Sequence, residues 1–273
     1  MSDGQDHSTI RVERIGRVER ITLNRPEKRN ALSFELQDEL VGEIMDAERS
    51  DDVHCIVIRG AGPSFCAGYD ITPRSADSYR APMTVEEDVA LVRDIADRWA
   101  HVWNCRVPVI AQVHGYCVAG GTDLALHCDM VIAAEDAQIG FPPVRAQGGP
   151  PTHMWVYNAG PQWTKRLLLT GDFISGSKAA EVGLVLEAVP ADQLDDHVMA
   201  LATRIATIGK GLLAHNKRIV NLGVELMGRS QLQVLAGIHD ALGHLAPEAA
   251  EFNQRLRNEG VRAAVAARDA AFE

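Results

Sequence analysis

Two glycine-bearing turns hold the residue pattern best suited to chemistry. They are Phe65-Cys66-Ala67-Gly68-Tyr69-Asp70-Ile71 and Gly115-Tyr116-Cys117-Val118-Ala119-Gly120-Gly121-Thr122-Asp123. Each follows an apolar run, and the second opens directly into a helical stretch, so Gly120 and Gly121 bring backbone N–H groups to a helix start. There the first N–H groups have no intrahelical acceptor and the helix dipole favours negative charge. A further N–H from the Gly68–Tyr69 turn would complete a two-donor site for a developing oxyanion. Glycines after strands also serve tight turns and close packing. Asp123, in the first turn of the helix, either complements the dipole or carries a proton. Gly60-Ala61-Gly62 is not a dinucleotide site, because Phe65 stands in for the third glycine and no helix follows at once. The sequence has no phosphate loop, no G-x-S-x-G elbow and no H-E-x-x-H pair.

These turns need rigid elements behind them. IRVERIGRVERITLN (10–24) alternates apolar and polar residues around Gly16, the pattern of a hairpin. Ser33 then precedes an apolar helical stripe through Phe34, Leu36, Leu40, Val41, Ile44, Met45 and Ala47. Four apolar runs follow: VHCIVIRGAG (53–62), VPVIAQVHG (107–115), MVIAAEDAQIG (130–140) and GLVLEAV (183–189). Runs this apolar suit strands covered on both faces, as in a parallel α/β sheet. A helix is expected over about 85–104, and another at TDLALHC. Beyond residue 190 every segment has helical periodicity and no strand signal remains. The reading is an α/β core over 1–190 and a helical region over 191–273, whose wide Ala/Leu stripe needs a partner surface.

Of 273 residues, 46% are hydrophobic and 23% charged, enough for a sizeable core. With 27 Lys and Arg against 37 Asp and Glu, the net charge of −10 argues against nucleic acid and anionic membranes as partners. The opening segment MSDGQDHSTI carries no secretory signal and no run reaches 18 apolar residues, so no membrane span is expected. Five cysteines, none spaced C-x-x-C, point to no metal centre and to a reducing cytoplasm.

Five segments in fixed order carry a resemblance: NRPEKRNAL (24–32), FCAGYDI (65–71), VHGYCVAGGTDLALHCD (113–129), AQIGFPPV (137–144) and LLLTGDFISGSKAAEVGLVLEAV (167–189). Together they resemble the crotonase superfamily, the enoyl-CoA hydratase/isomerase family. The resemblance implies a spiral of repeated β-β-α units with a carboxy-terminal helical region that packs between subunits, as a homotrimer or dimer of trimers. It implies an acyl-CoA substrate, with coenzyme A as part of the thioester and no tightly bound cofactor. The N–H groups of Tyr69 and Gly120 would hold the thioester oxygen, and Asp123 would act as the catalytic acid or base. Arg29, Ala31, Ala67, Gly68, Asp70, Ile71 and Gly121 would line the substrate and CoA pocket. Arg25, Lys28 and Arg29 offer a basic cluster for the phosphates, or simply solvated surface charge.

The chain departs from the family's hydratases at the proton-handling positions. They carry glutamate where this chain has Asp123, and a second glutamate at the position of Pro143. Aspartate at the first position resembles the dienoyl-CoA isomerases, but those use acids where this chain has Pro143 and Pro151. Proline exchanges no proton, so at least one role has moved. His153 and Arg145, in the segment bordering the family's active site, and Glu86, in the acidic start of the 85–104 helix, are auxiliary candidates. Surface or packing roles are the preferred reading of each. The favoured reading is hydration of a 2-enoyl-CoA. Its alternatives are a CoA-thioester hydrolase, a C–C bond-cleaving enzyme working through His153 or residues 86–88, and a non-catalytic acyl-CoA binder. Acyl-chain preference would rest on the walls between residues 72 and 104.

Overall fold

A computed structural model describes residues 7–72 and 84–272. The chain opens with the expected hairpin, β1 (Ile10–Ile15) and β2 (Val18–Leu23), turned at Gly16-Arg17 with Ile15 opposite Val18. A 3-10 turn over Pro26–Lys28 leads to α1 (Phe34–Arg49), capped by the Ser33 hydroxyl, which accepts from the Leu36 N–H. Leu36, Leu40, Ile44 and Ala47 form its buried stripe. β3 (Cys55–Gly60) follows, and then α2 (Val85–Asn104), whose start is fixed by a reciprocal Thr84–Glu87 capping box.

The remaining core winds through β4 (Val109–Val113), β5 (Tyr116–Val118), α3 (Gly120–His127), β6 (Met130–Ala134), β7 (Gln138–Gly140), α4 (Trp155–Leu168), β8 (Phe173–Ser175), α5 (Gly176–Glu181) and β9 (Glu187–Val189). The larger sheet has the order β1-β2-β3-β4-β6-β9, parallel except for the opening hairpin. A smaller sheet, β5-β7-β8, stands beside it. Each turn of the spiral thus sends one strand to the large sheet, one to the small sheet and then a helix. Cys66, bridged in parallel to Cys117, plays the small-sheet strand in the first turn. The expected α/β spiral of repeated β-β-α units is observed.

The helical region comprises α6 (Leu194–Ala206), α7 (Lys210–Leu226), α8 (Arg229–Gly243), α9 (Pro247–Glu259) and α10 (Val261–Asp269). α6 lies past the 190 boundary, yet Leu194, Val198, Ala202 and Ala206 are buried in the same core as the large sheet. Helix α8 packs along α2, and α9 pairs with α10. A small second cluster of Phe252, Leu256 and Ala264 closes against Ile71, Ala146 and Val265. The helical tail therefore returns to the first glycine turn.

Most of the expected elements are present, with three differences. The GLVLEAV run yields strand only at Glu187–Val189, because Leu184 and Val185 are buried in the turn before it. α4, unread in the sequence, bends where Gly160 has φ 70° and Pro161 follows. The acyl-chain wall expected between 72 and 104 includes residues 73–83, which lie outside the described residues; α2 supplies the rest.

Candidate active site

The first glycine turn is strapped to the segment before α1. Leu32 N–H donates to the Gly68 carbonyl, Asp70 N–H to the Leu32 carbonyl, and Ala67 N–H to the Arg29 carbonyl. Buried Asn30 pins the strap, its amide donating to the Ala61 and Ser64 carbonyls and its Oδ1 accepting from Arg25 N–H. Arg25 joins Asp70 at 2.9 Å and the Ala31 carbonyl at 2.5 Å, which spends its guanidinium inside the protein.

Against this strap lies the start of α3. Gly68 has φ 99°, and a Cβ there would meet Ala119 Cβ at 2.7 Å and the Gly120 nitrogen at 3.3 Å, so the two turns touch through their main chains. Ala119 holds φ 51°, ψ −125°, a strained conformation for a residue with a Cβ, costing on the order of 1–3 kcal/mol. From that conformation α3 starts at Gly120, the first residue of the helix. Among the described residues, neither Tyr69 N–H nor Gly120 N–H has a hydrogen-bond acceptor. Two unpaired donors brought together at a helix N-terminus form the geometry an oxyanion needs.

Asp123 sits directly beneath. It is 1% exposed. The Tyr69 hydroxyl donates to Oδ2 at 3.0 Å, the Thr152 hydroxyl donates to Oδ1 at 2.6 Å, and Trp99 Nε1 donates to the Tyr69 oxygen at 3.0 Å. Burial raises its pKa to about 7; the two hydroxyls oppose that shift and the Asp240 carboxylate adds to it. Burial and the nearby Asp123 hold the Tyr69 phenol well above its ordinary range. One turn along α3, burial lowers His127 to about 4, so it stays neutral, its Nδ1 bonded at 2.7 Å to the Asp123 carbonyl.

A cavity of about 1010 Å³ opens beside these groups. Its walls include Tyr69 and Ala119 from the two turns, Val92 and Ile95 from α2, and Val261 and Arg262 from α10. Arg29, Ala31, Ala67, Asp70 and Ile71 all face it. Lys28, Arg29 and Arg262 bring cations to it, and none of the three is ion-paired among the described residues. Arg29 stacks 5.4 Å over the Tyr116 ring.

Several expectations need correction. Gly68 and Gly121 lie behind the wall and serve packing, for a Cβ at Gly121 would come within 2.8 Å of the Cys66 carbonyl. Arg145 is 7% exposed and is consumed by Asp172, Asp269 and the Thr170 carbonyl, with Phe272 stacked on it at 3.9 Å; it holds the tail to the core. Glu86 is exposed on the outer face of α2, and Asp88, two residues on, faces the cavity instead. His153 lies outside the cavity wall, half-buried at φ 49°, with burial lowering its pKa. Asp123 itself is screened from the cavity by Tyr69. The sequence reading missed Thr152, the Tyr69 phenol as a side chain, Arg262, and the cavity-facing Asp240 and His244. Only a contact map could have found these, since each lies far along the chain from the group it serves.

All five cysteines are buried and unpaired, and burial raises Cys66 to about 12, so its thiol is inert packing. Among the described residues no His, Cys, Asp and Glu gather in a metal-binding group, and no helix is long and apolar enough to cross a membrane.

Residues 13–270 match the family described as enoyl-CoA hydratase/isomerase. A probable enoyl-CoA hydratase of Rhizobium meliloti is 32% identical over 278 residues, covering 98% of each chain. A probable enoyl-CoA hydratase of Mycobacterium tuberculosis is 33% identical over 224 residues, covering 80% of this chain and 83% of the relative. The crystal structure of an enoyl-CoA hydratase from Mycobacterium smegmatis superimposes with a TM-score of 0.91 at 38% identity, covering 97% of this chain and 94% of that one. An enoyl-CoA hydratase/isomerase from Xanthobacter autotrophicus Py2 gives 0.90 at 36% identity, covering 98% and 99%. Fold, paired N–H donors and sequence agree: the chain belongs to the enoyl-CoA hydratase/isomerase family.

Proposed function

We propose that this protein adds water across the 2,3 double bond of an enoyl-CoA. The observation that carries the reading is the pair of unpartnered N–H donors at Tyr69 and Gly120, set above a carboxyl whose pKa lies near neutrality. As the oxygen of water bonds to C3, the π pair shifts toward C1 and negative charge gathers on the thioester oxygen. Fixed donors meet that charge without reorganising, each worth roughly 3–4 kcal/mol of barrier. Protonation of C2 completes the addition. Asp123, neutral below pH about 7, supplies this proton through the Tyr69 hydroxyl that separates it from the cavity. The carboxyl passes its proton to the phenol oxygen as the phenol releases its own to carbon, so the high phenol pKa is never crossed in a separate step.

Coenzyme A enters as part of the substrate, its phosphates facing Lys28, Arg29 and Arg262 and its acyl chain lying along α2; no resident cofactor takes part. The outer faces of α7 and α8 leave Ile219, Val220, Leu226 and Val234 more than half exposed, and a second copy of the chain covers them in a homotrimer or dimer of trimers. Five buried, unpaired cysteines support a reducing compartment, the cytoplasm, as its location.

The test is turnover of crotonyl-CoA and longer 2-enoyl-CoAs, followed by loss of the enoyl-thioester absorbance. Hydration of at least one chain length is expected. Tight acyl-CoA binding with no turnover at any length would overturn the reading in favour of a binding protein.

A further inference from the structure

Pro143 and Pro151 line the cavity, so neither position offers a proton. Asp88 on α2, and Asp240 and His244 on α8, are ionisable groups that line its helical side. His244 Nδ1 lies 2.8 Å from Asp88 Oδ2, and its Nε2 lies 3.7 Å from Asp240 Oδ1. Asp240 is 8% exposed, and its Oδ1 has no hydrogen-bond partner among the described residues. The carboxyl also accepts from the Gly149 N–H. Gly148 runs so close that an added Cβ would collide with Oδ1, and its φ of 153° keeps the position to glycine.

A structural tie between α2 and α8 would satisfy both carboxylate oxygens. Here Oδ1 is left unsatisfied and closed to solvent in a residue that lines the cavity, an arrangement that costs stability and concentrates at working sites. Asp240 is also near enough to Asp123 for the two charges to interact.

We propose that Asp240 is the second proton-transfer residue of the site, the base that takes the proton of the water adding to C3, with His244 and Asp88 as positioning residues. This rests on the hydratase reading above. The step balances without a further reagent. One O–H bond of water breaks and its proton passes to the Asp240 carboxylate, while the water oxygen bonds to C3. The π pair of C2=C3 moves to C1–C2, and the carbonyl pair moves to the thioester oxygen between Tyr69 and Gly120. C2 then takes the proton from the Tyr69–Asp123 relay. Turnover leaves Asp240 protonated and Asp123 ionised, and exchange with solvent through part-exposed His244 and the open cavity restores both.

The electrostatics set the pair in that starting state. Burial raises Asp240 to about 6, opposed by the charge of His244 and assisted by that of Asp88, while Asp123 rests at about 7. Asp240 holds the lower value, which favours it as the ionised member and Asp123 as the neutral one.

Asp240→Asn keeps the shape and the acceptor for Gly149 while removing the base. With crotonyl-CoA, kcat falls on the order of 10²–10⁴-fold at nearly unchanged KM. Well above pH 7, where Asp123 is ionised with or without the Asp240 charge, the same variant still exchanges the C2 protons of butyryl-CoA for deuterium in D₂O near the wild-type rate, because exchange needs the oxyanion donors and an ionised Asp123 but no water attack. A second variant, His244→Gln, moves the acidic limb of the kcat profile to higher pH, since the His244 charge holds Asp240 down. Unchanged hydration in Asp240→Asn, an equal fall of hydration and exchange, or an acidic limb unmoved in His244→Gln would each overturn the assignment. A wild-type protein that hydrates no enoyl-CoA would instead overturn the reading on which it rests.

Discussion

The cavity has two kinds of wall. One is made of main chain: the Gly68–Tyr69 and Ala119–Gly120 turns, each at the end of a sheet segment and locked by backbone hydrogen bonds. The other is made of side chains carried by two helices, where Asp88 and His244 meet across 156 positions of sequence. The main-chain wall stabilises charge, a task independent of side-chain identity but demanding in geometry. The helical wall handles protons, a task that depends on side-chain identity and can be moved to any helix facing the same space. This contrast explains how Pro143 can line the cavity without leaving it devoid of acids.

The contrast can be broken from either side. The largest effect is expected at Asp123, which serves the main-chain wall from below. Asp123→Asn should lower kcat for crotonyl-CoA by roughly 10²–10⁴-fold. It should abolish C2 deuterium exchange as well, unlike a change on the helical wall. It should also stabilise the protein at alkaline pH. A carboxyl whose folded pKa is raised from 3.8 to about 7 binds more protons folded than unfolded in that window. Stability therefore falls as pH rises through it, and the burden persists above it. Melting temperatures of the variant should exceed those of the wild type at pH 8, and the difference should shrink toward pH 4.

Gly120→Pro removes one oxyanion donor at the first helical position, where proline is tolerated. Its Cβ would also press on the Tyr69 ring, 2.7 Å away. Loss of one donor should cost on the order of 10²–10³-fold in kcat, with exchange and hydration falling together. A loss confined to one of the two reactions would show that the walls are not divided as described.

The smallest effect is expected at the mouth. Removing Lys28 and Arg262 together should raise KM for an acyl-CoA several-fold while leaving kcat intact, at about 1 kcal/mol or less per exposed charge. The difference should fade as ionic strength rises and the charges are screened. Measuring KM at low and high salt checks this.

The same division decides what could be read from the sequence. The main-chain wall was legible because its demands are written locally. An apolar strand, a glycine turn and an immediate helix start specify where N–H groups point, and Gly68 and Ala119-Gly120 stand where those demands fall. The parallel sheet was legible too, from runs of strand residues too apolar for one wet face, but its strand order was not. The helical wall was not legible, because nothing near Asp240 in sequence announces that α8 packs along α2. Its spacing with His244 is ordinary helix surface. The acidic start of α2 drew attention to Glu86, but the helix phase turns that residue to solvent and Asp88 inward. Arg145 looked available only because its acidic partners Asp172 and Asp269 lie 27 and 124 positions away. α4 escaped notice because Gly160-Pro161 reads as a stop, whereas the chain bends there and continues.

One cavity joins Glu27 near the start of the fold to Asp269 in the last helix. An acyl-CoA seated in it touches segments whose docking to the core is otherwise secured by a few contacts such as Arg145 with Asp269 and Arg268 with Gln147. Substrate is therefore also a fastener. Ligand that binds only the closed arrangement adds about 2.7 kcal/mol of apparent stability at a hundredfold excess over Kd, and that gain falls first on the opening of α9 and α10. In a cell poor in acyl-CoA the last two helices would be the part of the chain a protease meets most often, so substrate supply would set the lifetime of the enzyme as well as its rate.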